Sequence, residues 1–188
     1  MTLRRTAACL LLFAAGCSFL KRPDNRFFSL DVVGPAGPAA ARGGGAVVLA
    51  GVELPPGLDR REVVVRGVNH EIQVRGTHQW TTPLGEMVLH TLAFDLARRL
   101  PDGMMVLPGQ PKPAATARAL SIVLEDIAPG NDRVFVLDAH WTLGTPGAAA
   151  RAGHERITVT MDSMESPAIA AAMSNALGTL ADRLAAQF

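Results

Sequence analysis

The chain has 188 residues, a formal net charge of +1, and charged residues of both signs making up 19% of the sequence. Mixed charge so close to neutrality leaves no basic footprint for nucleic acid. Tyrosine is absent and aromatics reach only 5%, which argues against a carbohydrate-stacking surface.

The N-terminus is read first. Arg4 and Arg5 supply positive charge, and residues 7–15 form an apolar run too short to span a bilayer. Small residues then lead into Cys17, the arrangement of a secretory signal in the variant that resembles a bacterial lipobox, with Ala14 where leucine is usual. The rest of a twin-arginine pattern is missing around Arg4-Arg5, so the general secretory route is expected. On this reading residues 1–16 are a cleaved leader and Cys17 is acylated. One acyl chain binds a membrane only marginally at ~0.8 kcal/mol per methylene, whereas two or more hold it permanently. Ser18 resembles the residue that permits export to the outer membrane, so the expected location is the periplasmic face of that membrane. Cleavage also removes Cys9, leaving no thiol for a disulfide. No later run reaches the ~18 apolar residues of a spanning helix.

Residues 17–26 read as the acylated cysteine and a polar tether, reaching about 30 Å at ~3.3 Å per residue. Residues 27–188 are expected to form a single α+β periplasmic domain. Residues 27–32 look like a first strand, and residues 34–45, rich in Gly, Pro and Ala, are a connection with no apolar period. Residues 46–54 and 62–66 carry dense Val and Leu on either side of Pro55-Pro56-Gly57. Residues 71–74 alternate polar and apolar. The period then changes: Thr82-Pro83 reads as a cap and first-turn pair, and Leu84, Val88, Leu92, Leu96 and Leu100 place one apolar stripe on a helix. Arg98 and Arg99 fall in its last turn, where cations favour the dipole.

Further strands are expected over residues 104–107, 120–127 and 134–143, the last pairing as a hairpin with residues 156–161 across a loose loop over 144–153. Ser166-Pro167 opens a second helix by the same cap logic, with Ile169, Met173, Leu177, Leu180 and Leu184 along one side. The order of elements specifies an α+β fold, a mostly antiparallel sheet with two helices packed on one face.

Catalytic signatures are missing. His70, His78, His90, His140 and His154 are scattered, and none forms the i, i+4 pair of a zinc protease helix. Without a thiolate a structural zinc site is not expected, so neither metal nor cofactor is expected. Asp138 and His140 share a strand face, read as a solvated face. No Gly-x-Ser-x-Gly motif occurs, and Gly43-Gly44-Gly45 lacks the lysine of a phosphate loop. The chain does not read as an enzyme.

The informative cluster runs through Leu58-Asp59-Arg60, the strand over 62–66, Asn69-His70-Glu71, and Trp80 before Pro83-Leu84. Asp59 and Arg60 can brace the strand ends, and Trp80 can plug the junction of strand and helix. Leu-Pro-x-x-Leu-Asp-Arg, an apolar strand ending in Arg66, Trp-x-x-Pro-Leu at a helix start, the lipobox and the Ala-rich closing helix together resemble the PqiC-like family. These are the ABC-type transport auxiliary lipoproteins that accompany MCE-domain lipid-trafficking systems. Thr81-Thr82 after the tryptophan and the Gly/Pro/Ala insert depart from the family pattern.

The resemblance implies an adaptor that docks an MCE-domain conduit at the outer membrane, alongside an inner-membrane permease and ATPase. It also implies possible self-association into a ring. Leu58, Asp59, Arg60, Asn69, His70, Glu71 and Trp80 are the candidate partner-binding residues, and Cys17 is the lipid-attachment residue. Two alternatives stand beside it: a lipid-binding shuttle lined by Met87, Met104, Met105 and Met173, and an assembly factor for another envelope complex.

Overall fold

The computed structural model describes residues 24–35, 45–67, 71–111 and 117–188. Among the described residues, eight strands and two helices follow one another as β1 (Arg26–Phe28), β2 (Val47–Glu53), β3 (Glu62–Arg66), β4 (Ile72–Trp80), α1 (Leu84–Ala97), β5 (Met105–Val106), β6 (Arg118–Pro129), β7 (Val134–Gly144), β8 (Arg151–Thr160) and α2 (Ser166–Ala185). The fold is α+β, as the order of periods indicated. The strands divide between two mixed sheets, ordered β1-β4-β3 and β5-β2-β6-β7-β8. The pairings β3–β4, β6–β7 and β7–β8 are antiparallel, while β1–β4, β2–β5 and β2–β6 are parallel.

Both helices lie on one face of the five-stranded sheet and against each other, α1 over β2 and β5, α2 over β7 and β8. Period-two alternation on β7 turns Phe135, Leu137, Ala139, Trp141 and Leu143 inward, all buried. Their cover is the pair of helical stripes: Leu84, Val88, Leu92 and Leu96 on α1 and Ile169, Met173, Leu177, Leu180 and Leu184 on α2 are all buried in the same core. The three-stranded sheet meets the larger one through β3 and β6, where the Arg66 guanidinium donates to both oxygens of Asp126 at 2.8 and 2.6 Å.

Local details differ from the sequence reading for identifiable reasons. β1 covers only three residues because the chain then leaves the sheet to run between the helices. Leu30 is buried there, the Asp31 N–H donates to Ser174 Oγ (3.0 Å) and the Val33 N–H to Asp95 Oδ1 (2.7 Å). A Cβ on Gly178 would stand 2.8 Å from Val33 Cβ, so glycine permits this close passage. β8 begins at Arg151, five residues before the expected strand, because Gly153 lies opposite Trp141. A Cβ on Gly153 would fall 2.5 Å from the indole. Neither Thr82 nor Ser166 caps its helix: the N-cap positions are Pro83 and Glu165, and neither makes a side-chain cap bond. The Ser166 hydroxyl instead meets Arg75 Nη1 (2.9 Å) and His78 Nδ1 (2.7 Å), tying β4 to α2. Most of the Gly/Pro/Ala connection, and the lipobox with Cys17, lie outside the described residues.

Candidate functional site

The 58–60 turn is built into the start of α1. The Leu58 N–H closes a turn onto Pro55 O (3.1 Å), and the carbonyls of Arg60 and Arg61 accept from Leu84 N–H (3.2 Å) and Trp80 N–H (2.6 Å). Asp59 Oδ1 accepts the Gly85 N–H at 2.9 Å, so an aspartate 26 residues upstream supplies the cap that Thr82 does not. This uses the unpaired donors and positive end of the helix. Gly85 leaves room for it, since a Cβ there would sit 3.0 Å from that oxygen. Arg60 Nε donates to Glu62 Oε2 at 2.9 Å, and this hydrogen bond holds the Glu62 carboxyl below its usual range.

Trp80 is 2% exposed, the plug between strand and helix. With Leu58, Leu84, Ile127, Ile169 and Met173 it encloses a cavity of about 10 Å³. Of the candidate partner-binding residues, the fold thus draws Leu58, Asp59 and Trp80 into one structural joint and leaves the Arg60 side chain at the surface. Asn69 and His70 lie outside the described residues. Glu71 is exposed beyond the Arg66↔Ile72 end of the β3–β4 pair, whereas the turn and Trp80 lie at its Glu62↔Gln79 end, so Glu71 does not share a patch with the turn.

A second polar site joins the helices. Arg99, expected to serve the α1 dipole, lies beyond the end of α1 and is 2% exposed. It donates to Asp182 Oδ1 (2.7 Å), Val33 O (2.8 Å), Asp95 O (2.9 Å) and Gly34 O (3.1 Å). Asp95 is fully buried, with Arg99 Nη1 3.9 Å from its Oδ1. Burial pushes its carboxyl up to about 6, against the opposing pull of the Val33 N–H and of Arg99. These three side chains clasp the segment after β1 between α1 and α2.

A third cluster stands on the opposite, helix-free face of the five-stranded sheet. Asp138 and His140 share a face of β7, and β8 places Arg156 opposite Asp138 and His154 opposite His140. Asp138 pairs with His154 Nε2 through one oxygen and with Arg156 Nη1 (2.5 Å) through the other. The His140 and His154 rings stack with centroids 4.5 Å apart, and His140 Nε2 lies 3.3 Å from Glu125 Oε1. The face is solvated at both histidines, but Asp138 itself is buried. Burial pushes its carboxyl up, yet the hydrogen bonds from His154 and Arg156 outweigh that and hold it below the ordinary aspartate value. The expected strand over 156–161 leaves His154 just outside it; with β8 starting at Arg151, His154 stands opposite His140.

The family model of the ABC-type transport auxiliary lipoprotein component matches residues 28–185, and the chain belongs to that family. Its partner is therefore an ABC-type transporter. No curated protein matches the sequence. Two solved structures share the fold. A protein described only as uncharacterized has 15% identity and a TM-score of 0.71, covering 87% of this chain and 97% of its own. Protein XCC0632 from Xanthomonas campestris has 16% identity and a TM-score of 0.67, covering 85% and 92%. Among the described residues no helix is long and apolar enough to cross a membrane.

Proposed function

We propose that the chain is the lipid-anchored docking subunit of an MCE-type intermembrane lipid transport system, held by acylated Cys17 at the periplasmic face of the outer membrane. The observation that carries this reading is the family match over residues 28–185, joined to the lipobox that ends at Cys17. Interior packing supports docking over lipid shuttling. Met87, Met104, Met105 and Met173 are all buried in the common core, and the cavity beneath Trp80, at about 10 Å³, holds at most one water. A shuttle needs an enclosed apolar pocket of a few hundred Å³, whereas the hollow of about 320 Å³ beside Leu30, Val32, Met87 and Phe94 is an open surface groove that also carries Glu86 and His90.

The three-stranded sheet offers the contact surface. β1 pairs only with His78, Gln79 and Trp80 of β4, so among the described residues the β1 side of β4 has no strand partner over residues 72–77. Ile72 and Val74 on that strand and Phe27 on β1 are exposed at 57, 44 and 58%. An unpaired strand edge beside exposed apolar side chains is suited to β-augmentation by another chain, whether an MCE protein or the next subunit of a ring. The exposed Arg60 and Glu71 flank this sheet at opposite ends. Photo-crosslinking in cells from position 72 tests the reading. Capture of an MCE-domain protein supports it, and loss of that adduct in Cys17→Ala shows that the anchor is needed. Adducts confined to components of an unrelated envelope machine would overturn it.

A further inference from the structure

We propose that Asp138, His140 and His154 bind a divalent first-row transition metal of the zinc class on the helix-free face of the five-stranded sheet. Each residue offers one ligand atom, and these atoms lie within 4.8 Å of one another. Tetrahedral zinc with bonds of ~2.0–2.2 Å needs its ligand atoms about 3.3 Å apart. The remaining closure is within reach of side-chain rotation, because the two imidazoles are 50 and 48% exposed. The backbone supplies the triangle: residues 138 and 140 occupy successive same-face positions of β7, and 154 faces 140 directly across the β7–β8 pair. Two imidazoles and one carboxylate suit zinc, nickel or copper, whereas magnesium prefers an all-oxygen shell. Open positions face solvent for water or an exogenous ligand.

Two charged neighbours complete the site. Glu125 stands 3.3 Å from His140 Nε2, where it would hold that nitrogen as a donor and leave Nδ1 to ligate, the usual outer-shell arrangement. Arg156, with its side chain 60% exposed, occupies the second oxygen of Asp138 and competes with the cation for that carboxylate. It is mobile enough to swing into solvent when a metal arrives. Metal binding would then staple β7 to β8.

Calorimetric titration of the untagged full-length chain in detergent with Zn²⁺, and with Mg²⁺ as control, tests the site. One Zn²⁺ per chain is expected, with no comparable Mg²⁺ binding. The double variant H140N/H154N should weaken Zn²⁺ binding more than tenfold, and Glu125→Gln about tenfold. Arg156→Gln should tighten it severalfold, a gain that a merely structural role for the cluster does not provide. Zn²⁺ should also raise the melting temperature of the native chain and not of the double variant. Equal Zn²⁺ affinity in the double variant, or binding unchanged or weakened by Arg156→Gln, would overturn the assignment. Should the double variant fail to fold without metal, Cu²⁺ on the native chain decides instead. Coupling to two nitrogens in its electron paramagnetic resonance spectrum supports the site, and oxygen-only coordination sinks it.

Discussion

Asp95 and Asp138 are both almost wholly withdrawn from solvent, at 0 and 7% exposure, yet their carboxyl groups shift in opposite directions. Asp95 is pushed up to about 6, while Asp138 is held below its ordinary value. The difference lies in depth and in donors: Asp95 is set deep between the helices, whereas Asp138 lies just beneath the exposed side chains of an outer sheet face. Both oxygens of Asp138 meet cationic or potentially cationic groups at hydrogen-bond distance. Asp95 has one backbone N–H, a guanidinium 3.9 Å away, and a second oxygen with no partner among the described residues. The charge state of each aspartate therefore follows from how deep it lies together with how completely it is paired. The two regions follow from this. The interhelical clasp is a fixed joint organised around Arg99, and the outer-face cluster is a set of solvent-reachable ligands already held close together.

Removing the cation from the clasp should give the largest effect. Arg99 makes four hydrogen bonds, to the partly exposed Asp182 and three backbone carbonyls, and stands 3.9 Å from the buried Asp95 carboxyl, so Arg99→Ala strands Asp95 without its nearest cation and leaves those carbonyls unsatisfied. Breaking a buried pair on one side costs about 3–5 kcal/mol, or a fall in melting temperature of roughly 6–20 °C for a chain of this size. Thermal unfolding followed by circular dichroism measures it. A drop under 2 °C would mean that the clasp does not hold the segment after β1.

The Asp95 carboxyl then sharpens the contrast through pH. Folding raises its pKa from the ordinary 3.8 to about 6, so between those values the folded state holds a proton that the unfolded state has released. Its contribution to stability is therefore greatest at the acid end and is lost as pH rises toward 6, with a ceiling of roughly 3 kcal/mol. Asp138 slopes the opposite way, so the total curve mixes the two. The difference between the native chain and Asp95→Asn isolates the clasp. Denaturant unfolding from pH 4 to 8 should show the native chain losing stability relative to the variant across that window; parallel curves would contradict the assignment.

What the sequence made legible was whatever depends on local period. The stripes at spacing four and three on α1 and α2, the alternation on β7 and the hairpin that follows it are properties of one segment at a time, and they placed the α+β class. Pairings over long range were not written locally. Nothing near Thr82 indicates that Asp59 will cap α1, and nothing near Arg99 indicates that it will reach residues 33, 34 and 182. The division into two sheets arises because β3 and β4 pair with each other and not with β2 or β6, which no local period encodes, and the edge strands β1 and β5, of only three and two residues, are too short for a periodic signal. Gly153 did carry a clue, since a glycine within a strand marks a close approach, and reading it so would have brought His154 opposite His140.

Asp59 offers an intermediate case, a carboxylate at the surface whose partner is a helix end instead of a guanidinium. Asp59→Ala should lower stability by about 1 kcal/mol, as for other N-cap losses, with Asp59→Asn retaining most of it because an amide oxygen still accepts the Gly85 N–H. Loss of the same magnitude in both variants would indicate that charge, and not the hydrogen bond, carries the effect.

The smallest effect is expected at Arg156, and its smallness is what separates the two aspartate sites. Its side chain is 60% exposed, so the Coulomb gain is screened and the pair with Asp138 is worth about 0–1 kcal/mol. His154 remains on the other oxygen when Arg156 is replaced, so no carboxylate is stranded as it is in Arg99→Ala. Arg156→Gln should therefore unfold within about 3 °C of the native chain while changing how the outer face binds metal. A loss as large as that of Arg99→Ala would make the outer cluster a second structural clasp, and the contrast between a fixed joint and an accessible ligand set would fail.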